Sequence, residues 1–382
     1  MSINNLNGDV LTQILARLSV KTLLILRMVC KSWCSIIDDP SFMLIHIKQY
    51  YNGSDYDKTK LISLHVEKQE FSAFKGCWFE VRNVDTLCFS DSEFVTHYDF
   101  RNAVLAGSCF GLVLLLIKDD DPKPLKLWNP CLRKSIFLPT CPFTESDTIE
   151  VVYTLGYSNL THCFKVCAFK VDNSLPYSNE AMPVAIYTVG EKKNNNQWRT
   201  ITRESGSANI PVKGPKVDSE KGFLFFQGAA HCIAGDTHLL SFNFVSETFS
   251  WVELPDASEK TMLSAKYVFL LDEALAIMSL SEVNRRIWVM NKDDFGVVSW
   301  KLWFSCASSE TDFLEVDRRI YLDPKVFYHN NGSTSFTLAD CSYDIATSKV
   351  EELLKVYVDQ TFTLCNYMES LALCKQSDCT FF

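Results

Sequence analysis

Near the amino terminus, apolar residues at Val10, Leu11, Ile14, Leu15 and Leu18 come close to the i, i+3, i+4, i+7 spacing that lines one face of a helix. Asp9 falls in the first turn of that helix, where the helix dipole favours a carboxylate. A second apolar set, Val20, Leu23, Leu24, Met28, Trp33, Ile36 and Ile37, continues the helical pattern, and Pro40 opens a further short helix through Phe42 and Ile45. So small a set of helices is marginal by itself and does not bury every one of these side chains. The surplus stripe therefore predicts a partner protein. Residues 49–60, with YYNGSDYDKTK at their heart, are rich in Gly, Asn, Asp and Ser and read as a linker.

Beyond residue 60 the period shortens from near 3.6 to near 2. Leu240, Phe242 and Phe244 alternate with Ser241 and Asn243, and Phe336 and Leu338 alternate with Ser335 and Thr337, which is strand behaviour. A unit recurs: an aromatic residue, a short polar turn and a return strand, beginning at Trp128, Tyr187, Phe242, Trp288 and Tyr343. Successive starts lie 59, 55, 46 and 55 residues apart, and Trp78 precedes Trp128 by 50. A period near 50 built of hairpins predicts kelch-like propeller blades, roughly six of them in the length available. An irregular pair of β-sandwiches is the competing arrangement. The expected organisation is an α+β multidomain chain, with helices over 1–48, a linker over 49–60, an all-β domain over 61–371 and a tail over 372–382.

Composition agrees with two unequal globular parts in 382 residues, with 47% hydrophobic and 22% charged residues. Charge separates them: residues 1–48 carry a net +2 and the remainder −11, so the two parts suit different partners. The longest wholly aliphatic run, Leu112–Ile117, is six residues, against the roughly 20 a membrane helix needs. The opening MSINNLNGDV has neither a basic start nor an apolar run of the signal-peptide kind, which leads to an expectation of the cytosol or nucleus. Fifteen scattered cysteines without paired CxxC knuckles read as reduced thiols.

Chemistry-bearing motifs are sparse. His231 and His238 bound a hairpin, but no third ligand or HExxH helix joins them. Asp119–Asp121 lack the glycine and downstream glutamate of a calcium loop. There is no GxSxG elbow, Walker loop or dinucleotide fingerprint, and short basic pairs such as Lys192-Lys193, Arg285-Arg286 and Arg318-Arg319 in an acidic chain argue against nucleic acid. The expectation is no catalytic residue, no metal and no cofactor. A hydrolase with residues spread over several blades is the enzyme alternative.

The run from Leu6 to Leu24, LNGDVLTQILARLSVKTLL, followed by RMVCKSW at Arg27–Trp33 and by Pro40-Ser41-Phe42, resembles an F-box. The resemblance implies a trihelical module that docks on a Skp-type adaptor and, through it, a cullin in an SCF ubiquitin ligase. The residues assigned to that docking are Leu6, Asp9, Leu11, Ile14, Leu15, Leu18, Leu24, Val29, Cys30 and Trp33. Asn7 and Ser19 stand where the family usually has proline. Further segments, AGSCFGLVLL, KLWNPCLRKSIFLPTCPF, LGYSNLTHCFKVCAFK, SETFSWVELPD and IWVMNKDDFGVVSWK, resemble the F-box-associated region of plant F-box proteins, the S-locus F-box group in particular. Phe110 replaces the family's usual Asn, and Cys232 its usual Trp. The resemblance implies a client-binding platform without catalysis of its own, and it makes a basic pistil S-ribonuclease the expected client. A non-ligase scaffold or inhibitor with a degenerate F-box is the alternative.

Overall fold

The computed structural model describes residues 7–51, 60–67, 77–83, 93–96, 103–117, 124–143, 145–146, 149–172, 183–190, 197–201, 223–235, 237–255, 265–271, 274–280, 284–293, 297–307, 327–329, 335–338, 341–344, 349–352, 360–373 and 380–381. For 50–102, 172, 265, 280, 284–285, 306–307, 327–367 and 380–381 the description, where there is one, is of the backbone alone. Leu6, His97, Asp119–Asp121, Lys192-Lys193, Asp294 and Arg318-Arg319 lie outside it, as does most of the predicted linker.

Four helices open the chain: α1 (Gly8–Leu15), α2 (Val20–Arg27), α3 (Lys31–Ile37) and α4 (Pro40–Tyr51). The last runs into the segment read as linker. Asn7 caps α1, its side chain accepting from the Asp9 N–H, and Ser19 caps α2, accepting from the Thr22 N–H. Both residues hold φ near −60° (−55° and −63°), the value proline would impose. The two departures from the family's prolines therefore keep the backbone angle and add a cap worth about 1 kcal/mol each. Arg27 donates to both carboxylate oxygens of Asp38, at 2.6 and 2.8 Å, tying α2 to the end of α3. Asp39 accepts from the Ser41 N–H and hydroxyl, and Pro40 occupies the first turn of α4, where its missing N–H costs nothing.

Among the described residues the β domain comprises six antiparallel sheets. The first contains β1 (Lys60–Glu67), β2 (Cys77–Asn83) and β3 (Glu93–Thr96). The second contains β4 (Ala103–Cys109), β5 (Leu112–Ile117), β6 (Leu125–Asn129) and β7 (Lys134–Phe137). The third is built of β8 (Ile149–Ser158), β9 (Cys163–Asp172), β10 (Val184–Thr188) and β11 (Arg199–Ile201), and the fourth of β12 (Leu224–Phe226), β13 (Ala229–Ala234), β14 (His238–Asn243) and β15 (Thr248–Glu253). The fifth has β16 (Ala265–Leu271), β17 (Ala274–Leu280), β18 (Asn284–Lys292) and β19 (Val298–Ala307), and the sixth β20 (Phe327–His329), β21 (Ser335–Leu338), β22 (Cys341–Asp344) and β23 (Lys349–Glu352). The chain then returns: β24 (Gln360–Tyr367) pairs with β1 as the fourth strand of the first sheet, and β25 (Thr380–Phe381) adds a fifth strand to the second beside β7. The segment expected to be a tail thus supplies a strand. Leading strands of neighbouring sheets approach one another, β24 against β4, β4 against β8 and β16 against β20, as in a propeller.

The recurring aromatics take matching places. Trp78, Trp128, Tyr187, Phe242, Trp288 and Tyr343 all lie on the third strand of their sheet, on β2, β6, β10, β14, β18 and β22. Trp128 and Phe242 are wholly buried and Tyr187 nearly so, while Trp288 is half-buried. Replacing Trp128 with Ala is expected to cost about 3–5 kcal/mol, read as a lowered midpoint in denaturant titration with an unchanged slope. Sheets contact through close approaches as well as side chains. Gly156 on β8 faces the Phe244 ring so closely that any Cβ would overlap it.

The helices rest on this β domain. Met43 and Ile47 of α4 share one apolar cluster with Cys109, Leu112, Tyr157 and Ala372, so α4 buries apolar side chains against the β domain as well as within the helices.

Candidate protein-docking site

Two faces of α1 and α2 have opposite fates. Leu11 and Leu15 turn inward and pack with Ala16, Val20, Leu23, Ile37 and Phe42. Leu18, Leu24 and Trp33 are half-buried against the same cluster. Of the residues expected to meet an adaptor, Leu11 and Leu15 therefore form the module's own interior: a hairpin of short helices must first hold itself together, and these two positions do so. Ile14, Val29, Cys30 and Asp9 are exposed.

The exposed apolar face includes three residues absent from that expectation. Val10 is 46% exposed, Ile14 48%, Ile25 61%, Met28 78% and Val29 61%. These are five of the ten exposed large hydrophobics among the described residues, gathered within twenty positions of the chain on α1 and at the end of α2, which makes this end of the module the candidate docking surface. Ile25, Met28 and Val29 stand at i, i+3 and i+4. That spacing was the available signal, but a sequence with two apolar stripes on one helix pair does not reveal which one turns inward.

Burial governs the titratable groups nearby. His46 of α4 is fully buried with its Nε2 2.8 Å from the Leu18 carbonyl. Desolvation lowers its pKa against the opposing pull of that carbonyl and of Glu369. On the β domain, Cys109 and Cys167 are buried, and desolvation raises both thiols well above their ordinary value, which removes them from thiolate chemistry at neutral pH.

The histidines that bound the β13–β14 hairpin do not converge. His231 lies opposite Ser241 and His238 opposite Ala234. His231 Nδ1 is 2.7 Å from the Ser241 hydroxyl, whereas His238 Nδ1 meets Thr237 at 2.8 Å. Among the described residues no three His, Cys, Asp or Glu side chains gather as metal ligands. Burial pushes the His231 pKa down to about 4, against a smaller opposing pull from the Phe226 carbonyl. A histidine kept neutral in the fold and free to protonate when unfolded makes stability fall as pH drops from about 6.5 toward 4, by about 3 kcal/mol. Melting temperatures between pH 7.5 and 4.5 should fall more steeply for the wild type than for His231→Gln. Parallel profiles would contradict the assignment.

Elsewhere the charged groups serve the joint between sheets. Lys165 on β9 donates to the Phe244 carbonyl at 3.0 Å and to Glu247 at 2.8 Å, and Arg199 on β11 donates to the other Glu247 oxygen. Burial raises the Glu247 pKa, but these hydrogen bonds outweigh it and leave the carboxyl below its usual value. At the β4–β5 turn, Phe110 and Gly111 both have positive φ, 45° and 78°, the geometry of a type I′ hairpin that favours Asn-Gly. Phe110 tolerates it with edge-on contacts to Tyr157 and Phe225, at 5.6 and 5.5 Å.

A helical module with an exposed apolar face, carried on a ring of antiparallel sheets, defines a protein-interaction chain in two parts. The chain belongs to the F-box-associated β-propeller family: residues 80–374 match the F-box associated beta propeller domain, and residues 3–44 match the F-box domain. Neither is an enzyme family. Similar proteins come from Arabidopsis thaliana. An F-box/kelch-repeat protein is 25% identical over 81% of this chain and 82% of its own length, and a putative F-box only protein 10 is 23% identical over 89% and 84%. A protein named Peroxiredoxin-2A is 22% identical over 98% of this chain and 69% of its own. Among the described residues no helix is long and apolar enough to cross a membrane.

Proposed function

We propose that this protein is the substrate-recognition subunit of an SCF-type ubiquitin ligase. The F-box binds a Skp-type adaptor, and through it a cullin, by the face of Val10, Ile14, Ile25, Met28 and Val29, and the propeller binds a protein client. The supporting observation is that concentrated apolar face, left over after the helices have formed their own interior and their seat. The chain contributes proximity: holding a client lysine near the charged conjugating enzyme makes transfer effectively intramolecular. Such work belongs in the cytosol or nucleus.

The charge of −11 outside the F-box favours a basic client, since an acidic surface steers and attracts the opposite sign. The resemblance to the S-locus group makes a basic pistil S-ribonuclease the specific reading. Exposed ion pairs contribute only about 0–1 kcal/mol each, so apolar loop contacts must add specificity. Capture of a panel of basic pistil ribonucleases is expected at low salt, weakening by about tenfold or more as ionic strength rises to physiological. No capture at either salt removes this client and leaves the adaptor reading standing.

A further inference from the structure

The carboxy-terminal end of the chain does more than close the ring. Residues 368–373 leave β24, which is part of the first sheet, and lead toward β25 at the edge of the second. Between those anchors the segment lies across the end of the second sheet, held there by polar contacts. The buried Asn129 amide, at the end of β6, donates to the Ser370 and Ala372 carbonyls at 3.0 and 2.7 Å. Lys134 donates to the Leu373 carbonyl at 3.3 Å. Gly111 admits the strap at its start, since a Cβ there would collide with the Met368 carbonyl and the Ser370 side chain.

The F-box sits on this strap. Leu371 is buried in the F-box's own cluster beside Leu11, Leu15 and Phe42, with Cys131 and Leu132 of the β6–β7 turn packed against it. Helix α4 joins the two sides: Phe42 packs into the F-box, Met43 and Ile47 pack into the cluster that holds Ala372 and Leu373, and Gln49 and His46 bond back to Gln13 and the Leu18 carbonyl.

We infer that the 368–373 strap and the β6–β7 turn form a seat that fixes the F-box on the propeller, so that Leu132 and Leu371 act as positioning residues holding the adaptor face in one orientation to the client ring. The inference rests on the ligase-receptor reading for its purpose, but the seat is tested separately. Two anchors in different sheets and an apolar contact on each side of α4 leave the F-box little freedom to swing on a tether. A client lysine then meets the conjugating enzyme at a set distance rather than within a wide cone, which limits which lysines are reached.

Hydrogen exchange on the full chain, alone and with a Skp-type adaptor, tests this. Leu132→Ala and Leu371→Ala are expected to speed exchange of the α4 amides at 43–47 by about tenfold, with β13 and β14 unchanged, the adaptor still bound, and Leu371→Met restoring protection. A role only in ring stability would speed β4–β6 together with α4 in both variants, and that result, or unchanged α4 exchange, overturns the inference. Should Leu371→Ala loosen the ring, Leu132→Ala decides alone, because its side chain lies in a hairpin turn outside the ring's core. A wild-type chain that binds no adaptor yet shows the exchange pattern would refute the ligase reading and keep the seat.

Discussion

Asp at both Met28 and Val29 is expected to abolish co-purification with a Skp-type adaptor while the chain stays folded. Each large apolar side chain buried against a partner contributes on the order of 1.5–3 kcal/mol, and a carboxylate forced into the same contact adds a desolvation cost. Together the pair should weaken binding by a thousandfold or more, since about 4 kcal/mol corresponds to that factor. Both positions are more exposed than buried in the free chain, so helicity and melting temperature should be near those of the wild type. Leu15→Asp would not serve. Leu15 is 1% exposed, and a charge there would break the helical core and lose the adaptor indirectly. Unimpaired adaptor capture by the double variant would move the docking face elsewhere.

Removing residues 360–382 should have the largest effect on stability. Strand β24 pairs with β1 from Lys60 to Glu67, and its loss opens the first sheet at the position where the ring closes. A propeller leaves only short, protected strand edges while every blade is complete, and an open leading strand invites edge-to-edge association. The same deletion takes away Leu371 and the strap, so the F-box loses its seat together with the ring. The shortened chain is expected to lose its cooperative thermal transition and to aggregate during purification. A cooperative melt of residues 1–359 matching the full chain would show that closure by β24 is dispensable.

Much of this architecture is legible along the chain. Helical spacing in the first 48 residues, the change of period near residue 60 and the fifty-residue recurrence of Trp128, Tyr187, Phe242, Trp288 and Tyr343 each have a direct physical cause. The third strand of each sheet carries the aromatic, and Tyr187 and Phe242 pack there into clusters shared with the preceding sheet, so the aromatic repeats with the blade. The facing of the F-box stripes is less legible, because Leu11 and Leu15 are as apolar as Ile25 and Met28, and only packing with Phe42 and Leu371 decides which pair goes inside. The seat is hidden for another reason. Asn129 and Ser370 stand 241 positions apart, and nothing local in either segment announces the pairing. Asn7 and Ser19 look like losses in an F-box pattern written in prolines, whereas their side chains cap the helices at the same backbone angle.

The central claim is that this chain carries a working F-box on a client-binding ring, and its most direct test is the mass of the complex formed with a Skp-type adaptor. Light scattering after size-exclusion chromatography is expected to give one adaptor bound per 43.6 kDa chain, with the complex persisting at physiological salt because an apolar face holds it. Elution of a folded chain at its own mass beside free adaptor, at micromolar concentrations of both, would contradict the account.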